Sequence, residues 1–223
     1  MATSRGYRIG IFAMVAIMVI GTFGMFAAMI LETKNSQQAS RQQQEALEEY
    51  QANQAVQQQE IAAETAALSD TYYDEFVRYR DEATAFDLNS VEELKTTDLK
   101  DGDGETVGPD TKVAVYYIGW NPDGKIFDSS IEGESLKEPL YRSDLTQGFA
   151  GFDRGLQGAS VIEGWKEGLE GMKIGGVRII EIPSDKAYGE QGGGSDIPPN
   201  TPIKFVVMAI PPLKDYEDPA GGF

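Results

Sequence analysis

The sequence predicts an α+β domain, with one short helix among several antiparallel strands, behind a transmembrane helix and a helical stalk. Three observations lead to this prediction. Residues 9–31 carry no charge, and residues 35–70 are rich in Gln, Ala and Glu, which favour helices. The remainder of the chain contains short β-branched and aromatic segments that are separated by turn residues.

The uncharged run at residues 9–31 is long enough to cross a bilayer. An α-helix of this length reaches about 34 Å, which exceeds the roughly 30 Å of a hydrocarbon core. Met25 and Phe26 stand where a cleaved leader would carry small residues, so a retained anchor is expected. Because Arg5 and Arg8 precede the run, we expect a single-pass cell-membrane protein with a cytoplasmic N-terminus and an extracytoplasmic C-terminal domain.

Residues 32–70 are interpreted as a helical stalk or linker. Leu47, Gln54, Ile61 and Leu68 recur every seven residues, but the polar member weakens this seam. A semi-rigid helix is therefore the first interpretation. A disordered tether is the second, and a stable coiled coil is the third.

The segment at residues 71–93 is predicted to be a separate amphipathic helical segment. Asp70 and Thr71 can cap a helix, and four apolar residues then follow at spacings of 3, 4 and 3. These four residues are Phe76, Tyr79, Ala83 and Phe86. Such a face is expected to pack on the globular domain or on a second copy of the chain.

The C-terminal region combines strand patterns with one helix pattern. Alternating or β-branched segments predict strands at 113–120, 125–130, 177–183 and 202–210. The helix pattern lies at 161–172, where Ile162, Trp165 and Leu169 share one face. A turn signal, Asn-Pro-Asp-Gly, separates the first two strands.

The composition excludes several classes of function. The net charge of −17 argues against nucleic acid as a partner, because a phosphate backbone requires a basic face. The chain has no Cys and no His, which removes thiol chemistry, His-dependent nucleophiles and the commonest ligand of transition metals. We therefore expect no cofactor and no metal, and favour chemistry without proton transfer.

Six blocks of the C-terminal region, in this order, resemble the FKBP-type peptidyl-prolyl cis-trans isomerases. They read DLKDGDGETVGPDTKVAVYYIG, DGKIFDSS, VIEGWKEGLEGMKIGG, KAYGEQG, IPPNTPIKF and the final strand. The resemblance implies a membrane-anchored bacterial member of that family and an antiparallel sheet wrapped around one short helix. The predicted segments are a cytoplasmic N-terminus (1–8), a signal anchor (9–31), the stalk (32–70), the amphipathic segment (71–93), the isomerase domain (94–213) and a tail (214–223).

The same resemblance implies the site residues, position by position. It assigns catalytic positions to Tyr117, Phe127, Asp128, Trp165, Tyr188 and Phe205. It assigns substrate-binding positions to Phe152, Val161, Ile162 and Ile197. In the family these side chains form an aromatic pocket with the tryptophan as its floor.

Two segments depart from the pattern of compact family members. The stretch at 131–160 is longer by something like fifteen residues and lies beside the expected pocket, as a client contact or a surface loop. The glycine-rich run at 192–196 replaces bulkier residues, which predicts a looser flap.

The implied activity needs no bond breaking. Rotation about an Xaa-Pro bond faces a barrier of about 18–20 kcal/mol, and a dry aromatic pocket can stabilise the twisted amide. The expected partners are Xaa-Pro segments of unfolded or exported proteins, the membrane, and macrolide inhibitors. A weak homodimer is left open by the small residues Gly24 and Ala28. Two functions are alternatives to the isomerase. One is a Pro-binding chaperone with incidental turnover, and the other is a purely structural tether.

Overall fold

The computed structural model describes the backbone of residues 5–142 and 151–215, and the side chains from residue 40 onward. The described residues from Gln57 onward form one compact unit, and those up to Val56 belong to another. Within the residues whose side chains are described, no helix is both long and apolar enough to span a membrane. The side chains of the predicted span at 9–31 lie outside that set, so the anchor stays a prediction.

The first helix, α1, extends from Arg5 to Phe76 and contains the predicted stalk. The helix start predicted at Asp70 and Thr71 is wrong, because α1 passes through both residues without a break. The Thr71 hydroxyl instead donates to the Ala67 carbonyl one turn earlier, at 2.8 Å. After Phe76 the chain continues as 3₁₀ turns at Val77–Glu82 and Leu88–Ser90, so 71–93 is not a single amphipathic helix.

The end of α1 packs on the globular domain. Phe76 is completely buried, and Leu68, Tyr72 and Tyr73 are partly buried against the same apolar cluster. Leu68 belongs to the heptad pattern, so this position of the seam faces the protein's own domain. The Ser69 hydroxyl accepts a hydrogen bond of 2.8 Å from the Leu136 amide.

The segment after α1 stays on the domain surface. Tyr79, Ala83 and Phe86 pack against the same cluster as Phe76, as their spacing predicted, although they do not share one helix. The indole of Trp120 donates to the Thr84 carbonyl at 3.1 Å. Packing on the domain, rather than helical periodicity, therefore explains this apolar pattern.

Five antiparallel strands form the main sheet, namely β1 (Lys95–Lys100), β2 (Ala114–Trp120), β3 (Ile126–Ser129), β6 (Val177–Ile182) and β7 (Ile203–Ile210). They lie side by side in the order β1-β6-β7-β2-β3. A hairpin of β4 (Ile131–Glu132) and β5 (Ser135–Leu136) follows β3. The antiparallel sheet with one short helix is as predicted, whereas β1 was not.

Two apolar clusters cover opposite faces of this sheet. Tyr116 and Ile118 on β2 belong to the cluster that contains Phe76. Val115 belongs to the cluster that contains Trp165, and Tyr117 packs against that cluster. Alternate residues of a strand point to opposite faces, so β2 is nearly continuously buried because both faces are covered.

The second helix, α2, extends only from Glu163 to Leu169, within the longer predicted range. Its backbone lies directly on β6 because two of its residues are glycine. A Cβ at Gly164 would stand 2.3 Å from Ile182 Cγ2, and one at Gly168 would stand 2.5 Å from Ile180 Cγ2. The close approach directs Trp165 and Leu169, both buried, into the core.

Arg178 on β6 connects α2 to the edge strand β1. Its guanidinium donates to the Gly168 and Glu170 carbonyls at 2.9 and 3.2 Å, at the end of α2. It also binds the Asp98 carboxylate through two hydrogen bonds, of 2.6 and 3.1 Å. The helix that supports Trp165 is thereby fixed at its C-terminus.

Candidate active site

A cavity of about 460 Å³ opens between α2, the sheet and the segments that follow β5. All the predicted site residues except Ile197 line it. They are Tyr117, Phe127, Asp128, Phe152, Val161, Ile162, Trp165, Tyr188 and Phe205. Their positions as neighbours are established, while their roles in catalysis and binding stay proposals.

The floor of the cavity consists of aromatic rings. Trp165 makes edge-to-face contacts with Phe205 and Tyr117, at centroid distances of 5.1 and 5.4 Å. Phe152 stacks on Trp165 at a centroid distance of 6.2 Å, with the two planes 16° apart. Phe127 stands edge-on to Phe205 at 5.6 Å. Such contacts fix ring orientation and leave an apolar concave surface.

Asp128 and Tyr117 form the main polar contact of the site. The Tyr117 hydroxyl donates to Asp128 Oδ2 at 2.6 Å, and the Ser129 amide donates to Oδ1 at 2.8 Å. Burial, followed by the hydrogen bond to Asp128, raises the pKa of the Tyr117 hydroxyl well above its ordinary value. Tyr117 therefore stays protonated, and the carboxylate has a fixed orientation at the cavity wall.

Tyr188 stands at the mouth of the cavity with 39% of its surface exposed. Burial and the nearby charge of Asp128 raise the pKa of its hydroxyl. Tyr117 uses its hydroxyl within the protein, but no described residue accepts a hydrogen bond from the hydroxyl of Tyr188. This group can therefore donate to a bound ligand.

Ile197 is not among the described residues that line the cavity, and its substrate-binding role stays a prediction. Its side chain is 3% exposed and packs into the core cluster instead of lining the cavity. The backbone of Gly193 lies against it, because a Cβ there would stand 3.2 Å from both Ile197 Cδ1 and the Tyr188 ring. Ile197 thus supports the Tyr188 loop from inside.

The glycine-rich loop is tied to the turn after β2. The Asn121 side-chain amide donates to the Asp196 carbonyl at 2.9 Å, and Lys125 pairs with the Asp196 carboxylate at 2.6 Å. The Gly193 amide also donates to the Ile197 carbonyl at 2.8 Å. The loop is therefore anchored within the glycine run at Gly193 and directly after it at Asp196.

Five further lining residues were not predicted. They are Leu140, Tyr141, Arg142, Gly151 and Ser160, and all belong to the long segment at 131–160. The apolar pair Leu140-Tyr141 was the only local signal, and no periodic pattern surrounds it. Residues 143–150 of this segment lie outside the described residues.

The arrangement suits an uncharged, ring-shaped ligand group. Among the described lining residues, Asp128 is the only carboxylate, and Tyr117 and Ser129 donate to it. Arg142 is the only guanidinium among them, and it is paired with Glu64 and Glu138. Among the described residues, no group of His, Cys, Asp or Glu side chains has the arrangement of a metal site. The cavity can exclude water from an apolar group of a ligand, and the Tyr188 hydroxyl can donate to the backbone of that ligand.

Comparison with known proteins gives one family. A family model described as FKBP-type peptidyl-prolyl cis-trans isomerase matches residues 103–210. The chain is similar to the FK506-binding protein of Neisseria meningitidis serogroup A, with 38% identity over 120 residues. That alignment covers 54% of this chain and 94% of the Neisseria protein.

A second similar protein comes from Haemophilus influenzae and is named "Probable FKBP-type peptidyl-prolyl cis-trans isomerase". It is 36% identical over 110 residues, which cover 49% of this chain and 38% of the Haemophilus protein. In both comparisons the similarity covers about half of this chain.

Proposed function

The chain belongs to the FKBP-type peptidyl-prolyl cis-trans isomerase family, and on this premise we propose that it isomerises Xaa-Pro bonds of exported proteins in the aromatic cavity. One observation carries the proposal: rings from β2, β3, α2 and β7 converge on one apolar floor beside a fixed carboxylate and an available hydroxyl. The isomerase activity is that of the family. The exported clients and the roles of individual residues are the proposal.

The geometry suggests a role for each part of the site. The floor of Trp165 and Phe205 would hold the pyrrolidine ring while the preceding carbonyl rotates. The apolar walls would exclude the water that stabilises the planar, charge-separated amide. The Tyr188 hydroxyl would donate to the substrate backbone, and Asp128 would hold Tyr117 in place. Catalysis then consists of binding the twisted amide more tightly than the planar one.

We also propose that residues 9–31 anchor the protein in the cell membrane, with the isomerase domain outside the cytoplasm. The uncharged length of this run and its basic N-terminal flank support the proposal. Protease added to intact spheroplasts should digest the domain, whereas full protection would contradict this orientation.

Two further partners are part of the proposal. A macrolide inhibitor would occupy the same cavity and compete with Xaa-Pro peptides, since its apolar ring system needs the same floor. A weak homodimer would have to use surfaces other than Leu68, which packs on the domain. Sedimentation of the purified chain tests the dimer.

A protease-free assay of peptide isomerisation with the purified full chain tests the main proposal. We expect exchange of an Xaa-Pro peptide to be faster than the uncatalysed reaction, with apolar Xaa preferred because the walls are apolar. A folded protein that binds the peptide without accelerating exchange would leave the Pro-binding chaperone as the function.

A further inference from the structure

The stalk helix contacts the wall of the cavity through an ion pair. Glu64 on α1 binds the Arg142 guanidinium, and Arg142 is among the residues that line the cavity. The two side chains are only 26% and 17% exposed. Residue 64 lies far outside the part of the chain that the family model matches, which begins at residue 103.

Among the described residues, groups from α1, from the segment after β5 and from the segment after β7 all contact Arg142. Its guanidinium donates to Glu64 on α1, to Glu138 at 2.5 Å, and to the Lys214 carbonyl after β7 at 3.3 Å. A planar guanidinium with several fixed acceptors has little rotational freedom. The orientation of Arg142 therefore depends on where α1 lies.

The backbone of Tyr141 and Arg142 is tightly packed against Gly151, which directly precedes Phe152. A Cβ at Gly151 would stand 2.1 Å from the Tyr141 carbonyl oxygen and 2.6 Å from the Arg142 carbonyl oxygen, so the backbones of the two segments are in direct contact. The Asp153 amide donates to the Tyr141 carbonyl at 2.8 Å. Phe152, between these contacts, stacks on Trp165.

A second set of contacts fixes the same wall from the C-terminal side. The Tyr141 hydroxyl donates to Asp215 at 2.8 Å, and Asp215 also pairs with Lys112 at 2.7 Å. The Leu140 backbone exchanges two hydrogen bonds with Val115 on β2. Glu64 adds a contact to this wall from α1, through Arg142.

We propose that Glu64 is a positioning residue of the isomerase: through Arg142 it fixes the wall formed by Leu140, Tyr141 and Phe152. The stalk helix then determines how tightly the cavity holds a substrate, in addition to carrying the domain. Glu64 itself does not line the cavity, and its carboxylate also accepts from the Lys214 amide at 3.5 Å, so it reaches the wall through its ion pair with Arg142. This inference rests on the proposed use of the cavity for Xaa-Pro substrates.

A second glutamate on the same helix provides the matched control. Glu75 pairs with Lys100 on β1 at 2.6 Å, and neither residue lines the proline cavity. This pair is more exposed, at 38% and 45% of the side-chain surface, than the pair of Glu64 and Arg142. Glu75→Gln therefore makes the same chemical change on α1 without touching the wall.

The experiment measures KM and kcat for an Xaa-Pro peptide with the full chain in mild detergent. For Glu64→Gln we expect KM to rise about three- to tenfold while kcat changes by less than about twofold, since the wall packs on the planar and twisted forms alike. For Glu75→Gln we expect both constants to stay at the wild-type values.

Arg142→Lys provides a second variant, because it keeps the charge and removes the planar fork. If Glu64 acts through Arg142, KM of the double variant should lie within about twofold of the weaker-binding single variant. An unchanged KM in Glu64→Gln, an equal rise in Glu75→Gln, or multiplicative effects in the double variant would overturn the inference. A wild-type chain without turnover would instead refute the proposed function itself.

Discussion

Phe76 at the end of α1 should contribute strongly to the stability of the isomerase domain, although it lies 18 residues before the domain boundary predicted at 94. Its side chain is 0% exposed, and its ring lies 6.0 Å from that of Tyr116 on β2. Truncation of a fully buried Phe to Ala costs about 3–5 kcal/mol, through lost burial and the remaining cavity. That loss is a large fraction of the roughly 5–15 kcal/mol that stabilises an ordinary domain.

Urea unfolding of the full chain, followed by the fluorescence of Trp120 and Trp165, should report this loss. Both tryptophans are buried in the domain, on opposite faces of the sheet. Leu47→Ala is the control, because Leu47 lies on the same helix and is 55% exposed, so its truncation should cost less than about 0.5 kcal/mol. If Phe76→Ala costs less than about 1 kcal/mol, α1 is not part of the folded domain and the packing argument is wrong.

Three further predictions concern the site and the core. Asp128→Ala should lower kcat/KM about tenfold to a hundredfold, equivalent to about 1–3 kcal/mol, because Tyr117 loses its acceptor. Glu105→Ala is the control, because Glu105 is exposed, and it should have no effect in the same assay. A raised pKa keeps a phenol protonated to higher pH, so Tyr117 and Tyr188 should keep their protons. We therefore expect kcat/KM to change less than about twofold from pH 7 to 10. A fall in kcat/KM with its midpoint near pH 8 would contradict this. Tyr116→Phe should not lower the free energy of unfolding and should raise it by up to about 1 kcal/mol, measured in urea, because the buried hydroxyl has no partner among the described residues.

The sequence was most informative where a strand or helix is covered by apolar neighbours. The strands β2, β6 and β7 carry β-branched and aromatic residues, and all three were predicted at nearly their observed bounds. The edge strand β1 was missed because most of its residues are exposed and polar. Its position depends on pairing with β6 and on the bond from Asp98 to Arg178, which no local pattern encodes.

The helix boundary near residue 70 was wrong for a related reason. Asp70 and Thr71 have the composition of a cap, but local signals compete with tertiary packing. The bond from Ser69 to Leu136 and the burial of Phe76 keep α1 continuous across this point. Both contacts join residues more than 35 positions apart in the chain.

The aromatic part of the site could be predicted because family motifs carry it in contiguous blocks. Trp165, Phe127 and Phe205 each lie within a block that resembles the family, and all three line the cavity. Ile197 also lies within a block, yet its side chain turns into the core, because a motif gives a residue its place in the chain and not the direction of its side chain. The residues Leu140 to Arg142 lie outside every block.

The boundary suggested by the motifs would therefore be a poor place to begin a soluble fragment. A fragment that starts at residue 90 lacks Phe76 and would expose Tyr116 and Ile118 on the face of the sheet that α1 covers. It would also remove Glu64 and leave Arg142, which is mostly buried, with one carboxylate fewer. If such a fragment were inactive, the result would show only that the cavity wall and the sheet face covered by α1 are not stable without this helix. A chain that begins at or before Gln57, where the compact unit begins, keeps Glu64 and Phe76 and so measures the isomerase with both contacts in place.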